Sequence, residues 1–187
     1  NVAVCVEASL HRTVEFAIRN VMLHLGPDWA LVVFHSRSNE FFIKYLLRDI
    51  TGIRFLLLED DFTTRMAYSA WMKTPALWQK LSDMRYRHAL LFQSDSLMLR
   101  SDINQYLQYD YIGAPWCTST DGSNKTKGGV GNGGFSLRNI SAMLRISLRS
   151  EESKRTLEDL FFVSAMEEAP TQYRLPAREI AYEFARE

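Results

Sequence analysis

The sequence predicts an α/β fold with a mainly parallel central sheet and helices on both faces. Three observations carry this. Four short apolar runs are separated by segments of helical periodicity, each run ends at a polar tip, and the order is strand, helix, strand, helix, strand, helix, strand. Val2 to Val6 is the first run, β-branched and apolar throughout, as a strand buried on both faces requires. It closes at Glu7-Ala8-Ser9. Val14, Ala17, Ile18, Val21, Met22 and Leu25 then recur at helical spacing, and Gly26-Pro27 ends that helix. Leu31 to Phe34 is the second run, closing at His35-Ser36. Phe41 to Ile50 reads as a helix. Ile53 to Leu58 is the third run, closing at Glu59-Asp60-Asp61. Helical pieces follow over Thr64 to Met72 and Pro75 to Asp83, with Pro75 suited to a first turn. Ala89 to Phe92 is the fourth run.

Beyond Asp95 the rhythm changes. Leu97-Met98-Leu99, Tyr111-Ile112-Gly113 and Phe135-Ser136-Leu137 read as short extended pieces. The polar stretch Thr118 to Gly129 reads as a loop. Ile140 to Leu148, Leu157 to Glu168 and Ala177 to Arg186 read as helices. The expected organisation is one domain over residues 1–187. Its nucleotide-binding half covers about 1–96, and a half for donor sugar and acceptor covers about 97–187.

Composition narrows the function classes. A hydrophobic content of 47% supports a sizeable core and argues against disorder. Lys+Arg and Asp+Glu both number 22, so the formal charge is zero and duplex nucleic acid is not the expected partner. Two distant cysteines, Cys5 and Cys117, make neither a disulfide framework nor a zinc site, and Cys5 reads as a core residue. No apolar run is long enough to span a bilayer. The stretch starts at Asn1 rather than Met, as part of a longer chain would. The lack of a signal peptide favours a cytoplasmic location, with the secretory lumen as the alternative if a targeting segment lies outside. Asn124-Lys125-Thr126 and Asn139-Ile140-Ser141 match the glycosylation sequon, a tripeptide common by chance.

Three constellations could carry chemistry. Gln93-Ser94-Asp95 follows the fourth run. In an open α/β sheet, ligands gather beyond the carboxyl ends of strands. There Asp95 and Gln93 could hold a divalent cation, Mg²⁺ or Mn²⁺, against a diphosphate, with Ser94 beside them. The bland alternative is a turn made by the flanking serine hydroxyls. Gly129-Val130-Gly131-Asn132-Gly133-Gly134 satisfies G-x-G-x-x-G but leads into a strand, so it is not a dinucleotide fingerprint. It reads instead as backbone approaching a ligand closely, with Asn132, Gly133 and Gly134 against a sugar; a glycine turn is the alternative. Glu158-Asp159 could supply a general base, or could belong to a capping box opened by Thr156. Glu7, Ser9, His35, Ser36 and Asn39 follow the first two strands, where a base and ribose would lie. Trp116 could stack on a sugar, and Arg12 and Arg65 could balance phosphate charge.

The chain resembles DUF5672, a glycosyltransferase-like family related to type-A (GT-A) nucleotide-sugar glycosyltransferases. The stretches concerned are Val4 to Glu7, Phe92 to Ser96, Tyr109 to Trp116, Gly131 to Arg138 and Glu158 to Phe162. The resemblance implies a Rossmann-like GT-A fold and a nucleotide-diphosphate sugar as donor, a UDP-sugar being the first expectation. It implies a glycan or other hydroxyl compound as acceptor. The D-x-D motif of such enzymes falls on Gln93-Ser94-Asp95, with Gln in place of the first Asp. The acidic pair falls on Glu158-Asp159. The late histidine that often completes the metal site has no counterpart: His11, His24, His35 and His88 all lie upstream of the motif. The expected activity is sugar transfer with Asp159 or Glu158 as base, inverting. The alternatives are a non-catalytic sugar-nucleotide or glycan-binding module and a structural domain of a larger assembly.

Overall fold

The computed structural model describes residues 1–59, 62, 64–116, 130–149 and 157–186. The strands are β1 (Val2–Glu7), β2 (Ala30–His35), β3 (Ile53–Leu57), β4 (His88–Phe92), β5 (Tyr111–Gly113) and β6 (Phe135–Asn139). The helices are α1 (Thr13–Leu25), α2 (Glu40–Leu46), α3 (Arg65–Lys73), α4 (Pro75–Asp83), α5 (Ile140–Arg149), α6 (Glu158–Glu167) and α7 (Arg178–Phe184).

The six strands form one sheet in the order β3-β2-β1-β4-β6-β5. β1 to β4 run parallel, and β6 runs antiparallel to both β4 and β5. The chain winds from β1 outward to β3 and then crosses to the other side of β1 with β4. The carboxyl ends of β1 and β4 therefore flank a topological switch point, where the crevice of such sheets lies.

Alternation along each strand divides the core in two. Val2, Val4, Val32, Phe34, Ala89 and Leu91 face Trp78, Met72, Phe162 and Met143 on α3 to α6. Ala3, Cys5, Leu31, Val33, Leu90 and Phe92 face Val14, Ile18, Val21 and Ile43 on α1 and α2. Both faces of β1, β2 and β4 are covered, so these strands read as unbroken apolar runs.

Most expected elements form, with differences of physical origin. The second helix ends at Leu46 rather than Ile50, since Leu47 leaves helical backbone (φ −104°, ψ 13°). Leu97-Met98-Leu99 is extended but pairs with no strand. Its partner is a side chain: the Met98 N–H donates to Asn20 Oδ1 at 2.7 Å, and Asn20 Nδ2 donates to the Met98 carbonyl at 3.0 Å. A single 3-10 turn over Ile103–Tyr106 has no counterpart in the sequence reading. α6 starts at Glu158, with Leu157 preceding it in extended backbone. Thr156 itself, the Thr118 to Gly129 loop, Cys117 and the Asn124 sequon lie outside the described residues.

Candidate active site

β4 and β6 pair in the register Phe92↔Phe135. The end of one strand therefore meets the start of the other, and Gln93 comes beside Gly134. A turn follows β4: the Ser96 N–H donates to the Gln93 carbonyl at 3.1 Å, and the Gln93 N–H donates to Ser96 Oγ at 3.1 Å. Ser96 Oγ also reaches the Gly134 carbonyl at 3.3 Å. The turn foreseen as the bland alternative thus exists, made by Ser96, and it leaves Asp95 exposed at its tip.

The glycine segment is a bend docked on the end of β5. The N–H groups of Gly131 and Asn132 donate to the Ala114 carbonyl at 3.2 and 2.9 Å. Gly131 has φ +121°, and a Cβ there would also strike the Val163 side chain. At Gly133 the constraint is a close approach: a Cβ would collide with Glu158 Oε1. Asn132 Oδ1 accepts from the Gly134 N–H at 2.8 Å, so this side chain shapes the bend itself.

Beneath the bend lies a buried ion pair that sequence reasoning missed. Arg138 Nη1 donates to Glu158 Oε2 at 2.9 Å and Nη2 to Glu158 Oε1 at 3.1 Å, a bidentate fork. Arg138 Nε donates to Ser136 Oγ at 2.9 Å, and that hydroxyl donates to the Gly133 carbonyl at 3.1 Å. The guanidinium also lies 4.6 Å from the Tyr111 ring centroid. Burial alone pushes its pKa down, but the charge of Glu158 and the hydrogen bonds to it prevail, so the balance is upward. Tyr111 donates its hydroxyl to the Gly131 carbonyl at 2.8 Å, and burial raises its pKa well above the ordinary tyrosine value. A signal was present in the sequence. Ser136 and Arg138 alternate with Phe135 and Leu137 along a short strand, so a buried guanidinium needed a carboxylate.

Glu158 is therefore engaged on both oxygens. Asp159, next to it in the first turn of α6, is also buried; among the described residues its carboxylate accepts from the Leu160 N–H alone, at 2.8 Å to Oδ1. Negative side chains suit this position at a helix N-terminus.

A cavity of about 970 Å³ opens between these parts. Gln93, Asp95, Asn132, Gly133, Gly134, Glu158 and Asp159 all line it, together with Arg65, Tyr68 and Ser69 of α3. The structure thus brings seven of the expected site residues to one space. Burial raises the Tyr68 pKa, so its hydroxyl keeps its proton. Of the remaining candidates, Ser94 is part of the turn and is not among the lining residues. Glu7, Ser9, His35 and Asn39 also lie outside the lining. They form a clamp between the loops after β1 and β2. Asn39 Nδ2 donates to the Glu7 and Ser9 carbonyls at 2.9 and 2.8 Å, and the Ser36 N–H donates to Asn39 Oδ1 at 2.9 Å. The Ser9 N–H donates to Glu7 Oε1 at 2.8 Å, and His35 Nδ1 meets the Ser36 carbonyl at 3.1 Å. Arg12 caps α1 without a side-chain bond, and the Trp116 carbonyl accepts from Arg178 Nη2 at 2.9 Å. Asn139 of the second sequon accepts from the Ser141 and Ala142 N–H groups and so caps α5.

The fit to a divalent cation depends on how the ion arrives. Among the described residues no three His, Cys, Asp or Glu side chains gather to hold one. Gln93 is neutral and faces the bend, its Oε1 lying 3.2 Å from where a Cβ on Gly134 would stand. What remains is the exposed Asp95 carboxylate. One carboxylate does not make a resident cage. It does suit Mg²⁺ or Mn²⁺ delivered with substrate phosphates, which commonly binds through one or two carboxylates.

The sheet order, the switch-point crevice and the cavity beyond β4 belong to a Rossmann-like α/β fold of the GT-A type. The chain belongs to the family described as Protein of unknown function (DUF5672), which matches residues 52–187. No curated protein matches it in sequence. Among solved structures it is similar to 4-diphosphocytidyl-2C-methyl-D-erythritol synthase from Anaerococcus prevotii DSM 20548. The TM-score is 0.56 at 14% identity, over 86% of this chain and 80% of that one. It is also similar to TarS residues 1–349 of S. aureus, with TM-score 0.52 and 11% identity over 87% of this chain. It spans 53% of that TarS structure, about half its length. At such identities the likeness concerns the fold. No helix among the described residues is long and apolar enough to cross a membrane.

Proposed function

We propose that the protein transfers a sugar from a nucleotide-diphosphate sugar, a UDP-sugar in the first instance, to an acceptor hydroxyl, with inversion. One observation carries the reading: Asp95, the glycine bend and Asp159 share one cavity at the carboxyl end of β4. A fold neighbour named for a diphosphocytidyl product supports a nucleotide diphosphate at this edge.

In this reading residues 1–96 carry the nucleotide and 97–187 the sugar and acceptor. Glu7, Ser9, His35, Ser94 and Asn39 border the nucleotide end, the clamp fixing the two loops there. Backbone at Gly133 and Gly134 packs against the donor sugar, and Asn132 holds the bend in shape. Asp95 receives a divalent cation arriving with the diphosphate, Gln93 beside it adding no charge. Held there, the ion would supply positive charge beside the diphosphate. Asp159 takes the proton of the acceptor hydroxyl as that oxygen bonds to the anomeric carbon. The bond from that carbon to the diphosphate oxygen breaks, and its electron pair leaves with the diphosphate. Glu158 is not the base, since Arg138 holds both its oxygens. It positions Asp159 against the glycine bend.

A non-catalytic sugar-nucleotide binder is the second reading, favoured by the neutral Gln93 at the first position of the motif. Release of nucleoside diphosphate from a panel of UDP- and GDP-sugars with Mn²⁺ decides between them. Transfer requires release, and Asp159→Asn should lower kcat by about 10²- to 10⁴-fold with little change in donor KM. No release with any donor supports the binder, and an unaffected Asp159→Asn removes Asp159 as base.

A further inference from the structure

The wall of the cavity supplied by α3 has no role in the transfer chemistry so far. Arg65, Tyr68 and Ser69 all line it. They stand at positions i, i+3 and i+4 of one helix, so they share a face. All three bring hydrogen-bond donors: a guanidinium, a phenol and a hydroxyl. Because Tyr68 keeps its proton, it adds no negative charge to this face. Ser69 is only 2% exposed, and among the described residues its hydroxyl forms no hydrogen bond.

Arg65 is badly placed for its own helix. It is the first residue of α3, and no acidic side chain occupies that first turn. The start of a helix favours negative charge, so a cation there is destabilising. The helix gains its cap elsewhere: Thr64 Oγ1 accepts from the Ala67 N–H at 3.1 Å. Among the described residues Arg65 has no ion-pair partner. A residue that conflicts with its local setting and gains no contact from the fold points to function. The surrounding charges say which ligand it would meet. Between α3, the tip of β4 and α6, the lining carries the carboxylates of Asp95, Glu158 and Asp159. Arg138 neutralises Glu158 and leaves the other two. Among the described residues, Arg65 is the only cation on this side of the lining. Arg100 and Arg186 belong to the other wing, where Asp102 and Glu183 accompany them, and Arg100 pairs with Asp102 at 2.9 Å. A diphosphate between Asp95 and Asp159 is repelled by both, and Arg65 is the group of the chain that opposes this.

We propose that Arg65 binds the diphosphate of the donor, with the Tyr68 and Ser69 hydroxyls as neutral donors beside it. The proposal deepens the glycosyltransferase reading and rests on it for what the diphosphate does. It adds a positive charge fixed in the chain to the one that arrives with the cation at Asp95. The bond from the anomeric carbon to the diphosphate oxygen breaks, and its electron pair stays on that oxygen. The guanidinium donates N–H hydrogen bonds to the growing charge and gives up no proton. An anion held there also meets the start of α3, whose dipole then acts in its favour.

Calorimetric titration with inorganic pyrophosphate in the presence of Mg²⁺ tests this without a donor sugar and without turnover. Arg65→Gln should weaken pyrophosphate binding by about tenfold or more, the loss of one charged hydrogen-bonding partner. Arg65→Lys should retain part of the affinity, since it keeps the charge and loses the fork. Arg65 is exposed, so neither variant disturbs the core. Lys80→Gln removes an exposed cation on α4 outside the lining and should change nothing. Unchanged pyrophosphate binding in Arg65→Gln overturns the proposal, and so does the absence of binding by the wild type. Equal weakening by Lys80→Gln overturns it too, because the effect would then belong to the general field of the protein. Nucleoside diphosphate release from sugar donors is scored separately. Release with an unchanged kcat/KM in Arg65→Gln removes the role of Arg65 alone. Arg65-dependent pyrophosphate binding with no release from any donor keeps the anion site and removes the transfer reading.

Discussion

At the scale of single residues, the organising contact is Arg138 with Glu158. Both side chains are buried, and the fork is bidentate. Removing one partner leaves a buried charge uncompensated, which costs about 3–5 kcal/mol. Arg138→Met should lower the urea midpoint accordingly. The double variant Arg138→Met/Glu158→Gln should regain part of the loss, since no bare charge is left inside; equal stability of the single variant and the wild type would contradict this. Position 93 makes a second prediction. Gln93→Asp places a carboxylate beside Asp95, and at kcal/mol-scale attraction Mn²⁺ should bind roughly tenfold tighter. Fluorescence or calorimetric titration of Mn²⁺ measures it. That Glu158 and Asp159 adjoin is plain in the sequence, but which of them takes the guanidinium is not, because Arg138 sits twenty residues earlier in the chain.

At the scale of elements, the four apolar runs were legible because strands buried on both faces carry their identity in composition. The pieces after Asp95 were harder to read. Leu97 to Leu99 has the composition of a strand, yet it is held by one asparagine on α1, a contact 78 positions away in sequence. β4 carries a pH prediction. His88, at its first position, has its pKa lowered below the usual histidine value, chiefly by burial, against an upward pull from Asp110. Among the described residues its Nε2 has no hydrogen-bond partner. The folded state thus binds a proton less readily than the unfolded chain. Its contribution to stability is complete above the ordinary histidine range and declines as pH falls below about 6.5. Urea midpoints at pH 7.5 and 5.5 should differ more for the wild type than for His88→Gln. Equal differences would show that His88 does not carry the effect.

At the scale of the whole molecule, the sheet order turns a list of motifs into a site. Gln93 to Ser96, Gly131 to Gly134 and Glu158-Asp159 are separated by tens of residues. The antiparallel insertion of β6 beside β4 brings all three to one edge. Periodicity could not give that insertion, because β6 is short and follows a polar loop. The loops after β1 and β2 were legible as lying at the same edge, but their side chains hold each other rather than line the cavity. The central claim is that this edge receives an activated sugar through its diphosphate. Calorimetric titration of the wild type and Asp95→Ala with UDP- and GDP-sugars in the presence of Mg²⁺ tests it most directly. The account predicts saturable heat with at least one donor and its loss in Asp95→Ala. The absence of heat with every donor, or equal binding by the two proteins, would contradict it.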